Sequence, residues 1–139
     1  MDKKPALLGV LVAILVSGAL RGGLFGKEDV KSARFLDKVA AEMNKQLPRT
    51  LDDETEWVNT DGEQGVLIYN YRLSQRLAGE IDAPLVMSRV KPQAVQGVCQ
   101  NTDLKDKFLR RGVALRYTYV DRAGTLVGSF EIRPADCGV

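Results

Sequence analysis

Apolar residues recur at different spacings along the chain, and each spacing predicts a different kind of element. An uninterrupted uncharged run from Pro5 to Leu20 comes first. Apolar positions then recur every three or four residues, as on one face of a helix, and afterwards every second residue, as on one face of a strand. Both spacings return once more before the C-terminus. The pattern therefore predicts an apolar segment, an amphipathic helix, two strands, two or three helices and two further strands.

The stretch from Lys27 to Pro48 predicts the amphipathic helix. Glu28 and Asp29 in the first turn and Lys45 in the last turn suit the helix dipole, and the proline ends the helix. We expect its apolar face to pack on the domain core, with a partner-binding helix as the alternative. The apolar positions at helical spacing are Val30, Ala33, Leu36, Val39, Ala40, Met43 and Leu47.

The stretch from Thr55 to Leu73 predicts a β-hairpin. A turn is expected at Asp61–Gly62, because this pair is typical of tight hairpin turns. The second strand, Val66–Leu73, is rich in branched and aromatic residues, as strands are. In the first strand, one face is expected to carry Thr55, Trp57 and Asn59. In the second strand, one face is expected to carry Leu67, Tyr69, Tyr71 and Leu73.

Helical spacing returns at Asp82, which is a candidate N-cap. Pro92 lies inside this second helical pattern, where a proline removes a backbone donor and clashes with the preceding turn. We therefore expect either a kink near Arg89–Lys91 or two abutting helices. Thr102 is expected to cap a short further helix that stops at Gly112.

The segment from Val113 to Ile132 predicts a second hairpin with its turn at Asp121–Gly124. Its shared faces are expected to carry Val113, Leu115, Tyr117 and Tyr119 in one strand and Leu126, Gly128, Phe130 and Ile132 in the other. The order of elements predicts an α+β domain. We expect an antiparallel sheet of about four strands, formed by the two hairpins, with helices packed on one face. The apolar helix and the amphipathic helix precede it.

The N-terminus has the layout of a secretory signal peptide or a signal anchor, because two lysines precede the uncharged run. That run is shorter than the roughly 20 residues a helix needs to span hydrocarbon. Small side chains at Ser17 and Ala19 fit cleavage after Ala19. We expect residues 1–26 to be the signal anchor or signal peptide and residues 27–139 to be a periplasmic α+β domain. Retention would tether the domain to the inner membrane, and cleavage would leave it soluble in the periplasm.

Net charge limits the expected partners. The chain of 139 residues carries 20 Lys and Arg against 18 Asp and Glu, with 45% hydrophobic and 27% charged residues, as in one globular domain. Three of the basic residues and one acidic residue precede Gly22, so the remainder is neutral overall. A neutral domain does not steer toward a polyanion, and we expect no nucleic-acid partner.

The chain has two cysteines, Cys99 and Cys137, and both follow the N-terminal segment. In an exported chain, two such cysteines are most simply a disulfide bond. Closing the loop of roughly 38 residues would restrain the unfolded chain by about 4 kcal/mol in the entropic account. Redox catalysis usually uses a Cys-x-x-Cys pair, and zinc needs more ligands than two thiols, so both fit less well.

Residues for catalysis are scarce in this sequence. The chain has no histidine, no Gly-x-Ser-x-Gly elbow and no phosphate-binding loop. The acidic run Asp52–Glu56 lacks the glycine and the spacing of a calcium loop, and we interpret it as a solvated strand entrance. We expect no enzyme activity, no metal and no cofactor, although a carboxylate pair assembled by folding would not show in the sequence.

The run from Val66 to Cys137 resembles small, mostly uncharacterised envelope proteins of Gram-negative bacteria. These combine an apolar N-terminal segment, a strand with Tyr-x-Tyr, a cysteine before a short helix, a strand beginning Gly-Val, a charged turn with glycine and a terminal cysteine. The same order is similar to the disulfide-bonded pilotin of the vibrio type II secretion system. More loosely, it is similar to the family of putative quorum-sensing-regulated virulence factors. Pilotins of that kind are lipoproteins, whereas no cysteine comes directly after the apolar run in this chain.

The expected function is binding without catalysis. We expect a pilotin-like accessory domain of the cell envelope that holds an envelope protein or a peptide segment. A sheet with helices on one face offers such a segment either a groove beside the helices or an open edge strand. The alternative is a domain that binds a small molecule or a lipid, which a dry cavity lined by aromatic residues would favour. The candidate binding residues are Trp57, Tyr69, Tyr71, Tyr117 and Phe130.

Overall fold

The structure is a computed structural model in which residues 29–139 are described. The expected apolar helix and the boundary at residue 26 lie outside these residues. None of the helices within residues 29–139 has the length and the apolar character needed to cross a bilayer. In chain order, the helices and strands are α1 (Ala33–Asn44), β1 (Arg49–Thr50), β2 (Thr55–Glu63), β3 (Val66–Leu73), α2 (Ala83–Gln100), α3 (Thr102–Lys107), β4 (Ala114–Val120) and β5 (Leu126–Ile132). Short 3₁₀ turns cover Ala78–Glu80, Leu109–Arg111 and Pro134–Cys137.

Within the described residues, the strands form a five-stranded mixed sheet in the order β1-β2-β3-β4-β5. Both expected hairpins are present as antiparallel pairs, but β3 and β4 are parallel, with Val66 beside Ala114 and Arg72 beside Val120. The expected antiparallel sheet of four strands is therefore wrong in two respects, the added strand β1 and the parallel central pair. The reason is the helical crossover, since α2 and α3 return the chain to the end of the sheet where β3 began.

The two faces of the sheet differ in chemistry. The face under the helices is apolar and aromatic, whereas the opposite face carries ion pairs such as Arg72 with Glu56 and Arg116 with Glu131. The helices pack on the aromatic face, as the sequence predicts: α1 lies against β2 and β3, and α2 lies against β5. The apolar and aromatic strand residues at most 9% exposed on this face are Trp57, Leu67, Tyr69, Tyr71, Leu115, Tyr117, Tyr119, Phe130 and Ile132.

Helix α1 is shorter than the sequence pattern predicts. The side chain of Ser32 accepts a hydrogen bond from the backbone N–H of Phe35 at 3.1 Å and caps the helix, so α1 begins at Ala33. The helix ends at Asn44, before the cis peptide bond that leads into Pro48. Its apolar face packs on the core, as expected. Its residues at most 3% exposed are Phe35, Leu36, Val39, Ala40 and Met43.

The first hairpin turns later than expected. Strand β2 continues through Asp61 and Gly62, and the turn falls at Gln64 and Gly65, where the glycine has φ 75°. Gly62 lies directly under α1, because an added Cβ would come within 2.3 Å of the carbonyl carbon of Leu36. This glycine therefore permits close approach of helix and strand rather than a turn.

A bulge in β2 also changes which side chains face the core. The register shifts between Trp57 and Asn59. Asn59 therefore lies on the polar face, where it accepts a hydrogen bond from the side-chain amide of Asn70 at 2.8 Å. Thr60 takes the position toward the helices and is 1% exposed. The expectation that Asn59 shares a face with Trp57 is wrong, because the extra residue reverses the alternation.

Only one of the two predicted N-cap residues in the helical segment before β4 is confirmed. Asp82 is the N-cap of α2, as predicted, and its carboxylate accepts a backbone hydrogen bond from the first turn at 3.2 Å. Pro92 lies inside a single helix, so the alternative of two abutting helices is wrong. The cap of α3 is Asn101 rather than Thr102, since the Asn101 side chain accepts from the N–H of Leu104 at 2.8 Å.

The predicted disulfide bond is confirmed. Cys99 and Cys137 are bonded, and their Cα atoms are 5.2 Å apart. The bond joins the C-terminal end of α2 to the 3₁₀ turn that follows β5. It therefore ties the C-terminus to the helix layer.

Candidate functional site

A groove runs beside the N-terminal half of α2 and encloses about 880 Å³. We call it the α2 groove. One wall is α2 itself, and the other wall is the end of β3 with the segment of residues 74–82 that leads into the helix. It forms because α2 lies over β5, at the far edge of the sheet from α1, while the chain must cross from the end of β3 to reach it.

The floor and the upper edge of the α2 groove are apolar. Val90 is 8% exposed, whereas Leu85 is 45% exposed at the open side. Leu73, Ile81 and Val86 are half-buried between these extremes. A graded apolar surface of this kind, bordered by polar residues, is typical of a binding site.

Charges of both signs border the groove. Arg76 and Arg89 contribute positive charge, and Glu54, Glu80 and Asp82 contribute negative charge. Arg76 pairs with Glu54 at 3.3 Å, with the two side chains 50% and 29% exposed. Such an exposed pair adds little stability. The border therefore does not select an occupant of strongly positive or strongly negative charge.

Asp121 holds the wall formed by residues 74–82. One oxygen of its carboxylate accepts the backbone N–H of Ala78 at 2.8 Å, and the other accepts the N–H groups of Ala123 and Thr125, each at 2.8 Å. The residue is 2% exposed by surface area. The hydrogen bond from Ala78, with those from the turn, holds the pKa of the carboxyl below its ordinary value. The wall is thus fastened to the β4–β5 turn.

The five aromatic candidates lie in the core rather than in the groove. Trp57, Tyr69 and Tyr117 are 0% exposed, and Phe130 is 9% exposed. Their rings form a continuous stack across four strands, with centroid distances of 5.4 Å, 5.2 Å and 5.2 Å in chain order. Tyr71, also 0% exposed, lies beside this stack. The structure therefore brings the candidates together, but places none of them in the lining of the α2 groove.

The tyrosines of this layer have unusual surroundings for polar groups. Within residues 29–139, the hydroxyls of Tyr69, Tyr71, Tyr117 and Tyr119 have no hydrogen-bond partner. Burial raises the pKa of each hydroxyl well above its ordinary value, so all four stay protonated. Ring stacking and apolar contact, rather than side-chain hydrogen bonds, therefore hold this layer together.

The acidic run before β2 is engaged in local structure. Asp52 accepts the backbone N–H of Glu54 at 2.8 Å, Glu54 pairs with Arg76, and Glu56 pairs with Arg72. In the described part of the chain, no cluster of acidic or thiol side chains has the arrangement of a metal site. The run is a strand entrance whose carboxylates organise the chain on either side of it.

Sequence reasoning predicted a groove beside the helices as one possible docking surface, but it did not identify the residues that line the α2 groove. The signal was Leu85, which lies off the buried stripe that α2 forms with Val90, Ala94 and Val98. An apolar residue away from the stripe of an amphipathic helix points to a second contact surface. The residues of the opposite wall have no such signal in the sequence. Arg76 and Ile81 line the groove only because of the path that the chain takes after β3.

Solved structures similar to this one establish the fold independently. A structure described as a putative secreted protein of Pseudomonas aeruginosa is 23% identical, with TM-score 0.65 over 81% of this chain and 97% of that one. The pilotin EpsS of the Vibrio vulnificus type 2 secretion system is 13% identical, with TM-score 0.61 over 77% and 92%. The type II secretion system pilotin AspS of Vibrio cholerae is 14% identical, with TM-score 0.56 over 76% and 91%.

Sequence comparison gives the family. No curated protein matches the chain. Residues 26–138 match the family described as "Putative quorum-sensing-regulated virulence factor". The match includes every helix and strand of the structure and both cysteines. The chain therefore belongs to this family, and its fold is the one also found in type II secretion pilotins.

Proposed function

We propose that this protein is a non-enzymatic accessory component of the cell envelope that holds a segment of another envelope protein in the α2 groove. The pilotins EpsS and AspS, which share the fold, belong to secretion systems and are consistent with such a role. The domain acts in the periplasm, and residues 1–26 tether it to the inner membrane. The sequence pattern of that segment supports the tether and the compartment.

The half-exposed Leu85 above the buried Val90 is the observation that carries the proposal. An apolar side chain that is 45% exposed at the mouth of a groove gains stability when a partner covers it, by about 25 cal/mol for each Å² removed from water. The groove is open along one side, which suits a chain segment that enters from the surface. Its border of both charge signs suits the mixed polar face of an amphipathic segment.

A small molecule or a lipid is the second candidate occupant. A volume of about 880 Å³ lies within the range of small-molecule pockets. The aromatic candidates would contact such a ligand only if the helices moved away from the sheet, because Trp57 and Tyr71 are both 0% exposed. Peptide binding in the groove needs no such movement, and we favour it for that reason.

Substitution at Leu85 tests the groove. Leu85→Asp should abolish co-purification of the envelope partner from cells that make the full chain, because it places a charge on the apolar surface that the partner must cover. Ala41→Asp is the control, since Ala41 is exposed on α1 and absent from the groove lining. Unchanged melting temperatures for both variants separate binding from folding. Equal partner recovery from both variants would contradict the proposal.

The fluorescence of the chain's one tryptophan distinguishes a peptide segment from a lipid as the bound ligand. Trp57 is part of the buried stack, and its fluorescence should stay constant when the purified protein is titrated with phosphatidylglycerol vesicles. A spectral change that saturates with lipid would indicate that the helices had opened to admit a ligand, and it would favour the lipid-binding alternative.

A further inference from the structure

The two edges of the sheet are built differently. One edge is β1, which has only two residues, Arg49 and Thr50, and follows Pro48. The other edge is β5, which has seven residues and contains neither proline nor a basic residue. Natural sheets protect their edges by short strands, prolines, charges and bulges. The register of β5 shifts at Val127, between Leu126 and Gly128, and is regular from Gly128 to Ile132. By these criteria the β1 edge is protected and the β5 edge is open from Gly128 to Ile132.

The outer side of β5 has no partner among residues 29–139. The strand pairs with β4 alone, and no further backbone or side-chain hydrogen bond reaches the backbone of Leu126–Ile132. Leu126 at its start is 61% exposed, more than any other large apolar residue in the described range. The five regular residues of this unpaired edge, Gly128–Ile132, extend over about 17 Å at the usual rise of a strand.

The aromatic stack ends at this edge. It proceeds from Trp57 through Tyr69 and Tyr117 to Phe130, with one ring from each successive strand. Phe130 has a ring neighbour on its β4 side, and its strand is the last of the sheet. A further strand that placed an aromatic ring opposite Phe130 would continue the stack, because neighbouring strands are about 4.8 Å apart.

We propose that β5 pairs antiparallel with β5 of a second copy of this chain, around a two-fold axis at Phe130. This register places Phe130 of one chain opposite Phe130 of the other, on the helix side of both sheets. The two stacks then join into one, and aromatic pairs across strands are stabilising. The joined sheet has ten strands, and a two-fold interface of this kind is closed, so the assembly stops at a dimer.

The charges of β5 favour a second copy over an unrelated strand. Glu131 is the one charged residue of the strand, and it is paired with Arg116 and Arg133. In the proposed register, each Glu131 lies opposite Ser129 of the other chain rather than opposite its own equivalent. No like charges meet across the axis. The strand is thus self-complementary in shape and in charge, which an interface between identical surfaces requires.

Opposite charges at position 129 test this register. Ser129→Glu places glutamate opposite Glu131 twice across the axis, and it should raise the dimer dissociation constant about tenfold. Ser129→Lys places an opposite charge there and should lower it. Ser129 is exposed on the polar face, so both variants should melt like the unchanged protein. Thr50→Glu on the β1 edge is the control and should not change the constant.

The measurement is sedimentation velocity over a series of concentrations, on protein purified in the form that cells retain after export. We expect a monomer–dimer equilibrium that Ser129→Glu and Ser129→Lys shift in opposite directions. A monomer at every concentration would overturn the proposal. A dimer whose dissociation constant changes with neither substitution would also overturn it. A monomer that loses its envelope partner through Ser129→Glu alone would assign the edge to a foreign strand and would also overturn it. The result is independent of Leu85, which lines the α2 groove and not this edge.

Discussion

The two longer helices lie on the same face of one sheet and yet are built for different tasks. Helix α1 buries its whole apolar face, since Leu36 and Val39 are 0% exposed and its backbone touches β2 at Gly62. Helix α2 buries Val90, Ala94 and Val98 but leaves Leu85 45% exposed beside the groove. A helix whose apolar surface exceeds what its own sheet can cover is available to a partner. Helix α1 therefore has a structural role, and α2 carries the binding surface that we propose.

Removing the disulfide bond should have the largest effect and should act mainly on α2. The double variant Cys99→Ser and Cys137→Ser is expected to lose about 4 kcal/mol of unfolding free energy, as the loop-closure account predicts. Denaturant unfolding of the purified protein measures this loss. Hydrogen exchange should show weaker protection in α2, whose C-terminal end the bond holds, and smaller changes in α1. Equal loss of protection in both helices would contradict the division of tasks.

Truncation of a leucine on each helix compares the two surfaces directly. Leu36→Ala should cost about 3 kcal/mol, since it removes fully buried methyl groups and leaves a cavity. Leu85→Ala should change the unfolding free energy by no more than about 0.5 kcal/mol, since the side chain is half exposed. Thermal and denaturant melts of the two variants provide the measurement. A loss for Leu85→Ala as large as that for Leu36→Ala would place Leu85 in the core.

Adding one methyl group beneath each helix compares the tightness of the two contacts. Gly62→Ala should cost about 2 to 3 kcal/mol, because the new Cβ meets the backbone of α1 and the helix must shift. Gly128→Ala should cost less than about 1 kcal/mol, because the new Cβ meets the flexible side chain of Met87 at 2.9 Å. If the two variants melt alike, the contact of α1 with the sheet is not the tighter one.

The smallest expected effect is a loss of stability in acid at the wall of the α2 groove. The backbone hydrogen bonds that Asp121 accepts lower its pKa below the ordinary 3.8, so its contribution to stability is complete above that pH and is lost as pH falls through the lowered pKa. Asp121→Asn should therefore melt below the unchanged protein at pH 7, and the difference should shrink below about pH 4. Asp37→Asn on the exposed side of α1 is the control. A difference that does not depend on pH would contradict this role of the carboxylate.

Local chemistry made much of the fold predictable. Asp82 correctly predicted the start of α2, and Asp121–Gly124 correctly predicted the second turn. Both predictions were possible because capping and tight turns depend on residues close in sequence. The disulfide bond followed from the number of cysteines and the signs of export, without any structural information. The alternation in β3 placed Tyr69 and Tyr71 on one face, as observed.

Contacts between distant residues were not predictable from the chain. The parallel pairing of β3 with β4 depends on where the crossover returns, and nothing local to either strand encodes it. Gly62 has the local signature of a turn, but its real neighbour is Leu36, a contact made only after α1 docks. The bulge that turned Asn59 outward has no signal in an alternating pattern. The lining of the α2 groove depends on such distant contacts, so its residues were not identified from the sequence, although a groove beside the helices was expected.

A photo-crosslinking amino acid placed on each helix tests the central claim most directly. Position 85 lies in the α2 groove, and Ala41 is exposed on α1, so the two probes report on the two helices in the same cells. We predict that ultraviolet light joins the chain with the probe at position 85 to another envelope protein, identified by mass spectrometry. The chain with the probe at position 41 should yield no such adduct. The same adduct from position 41, with none from position 85, would contradict the assignment of binding to α2.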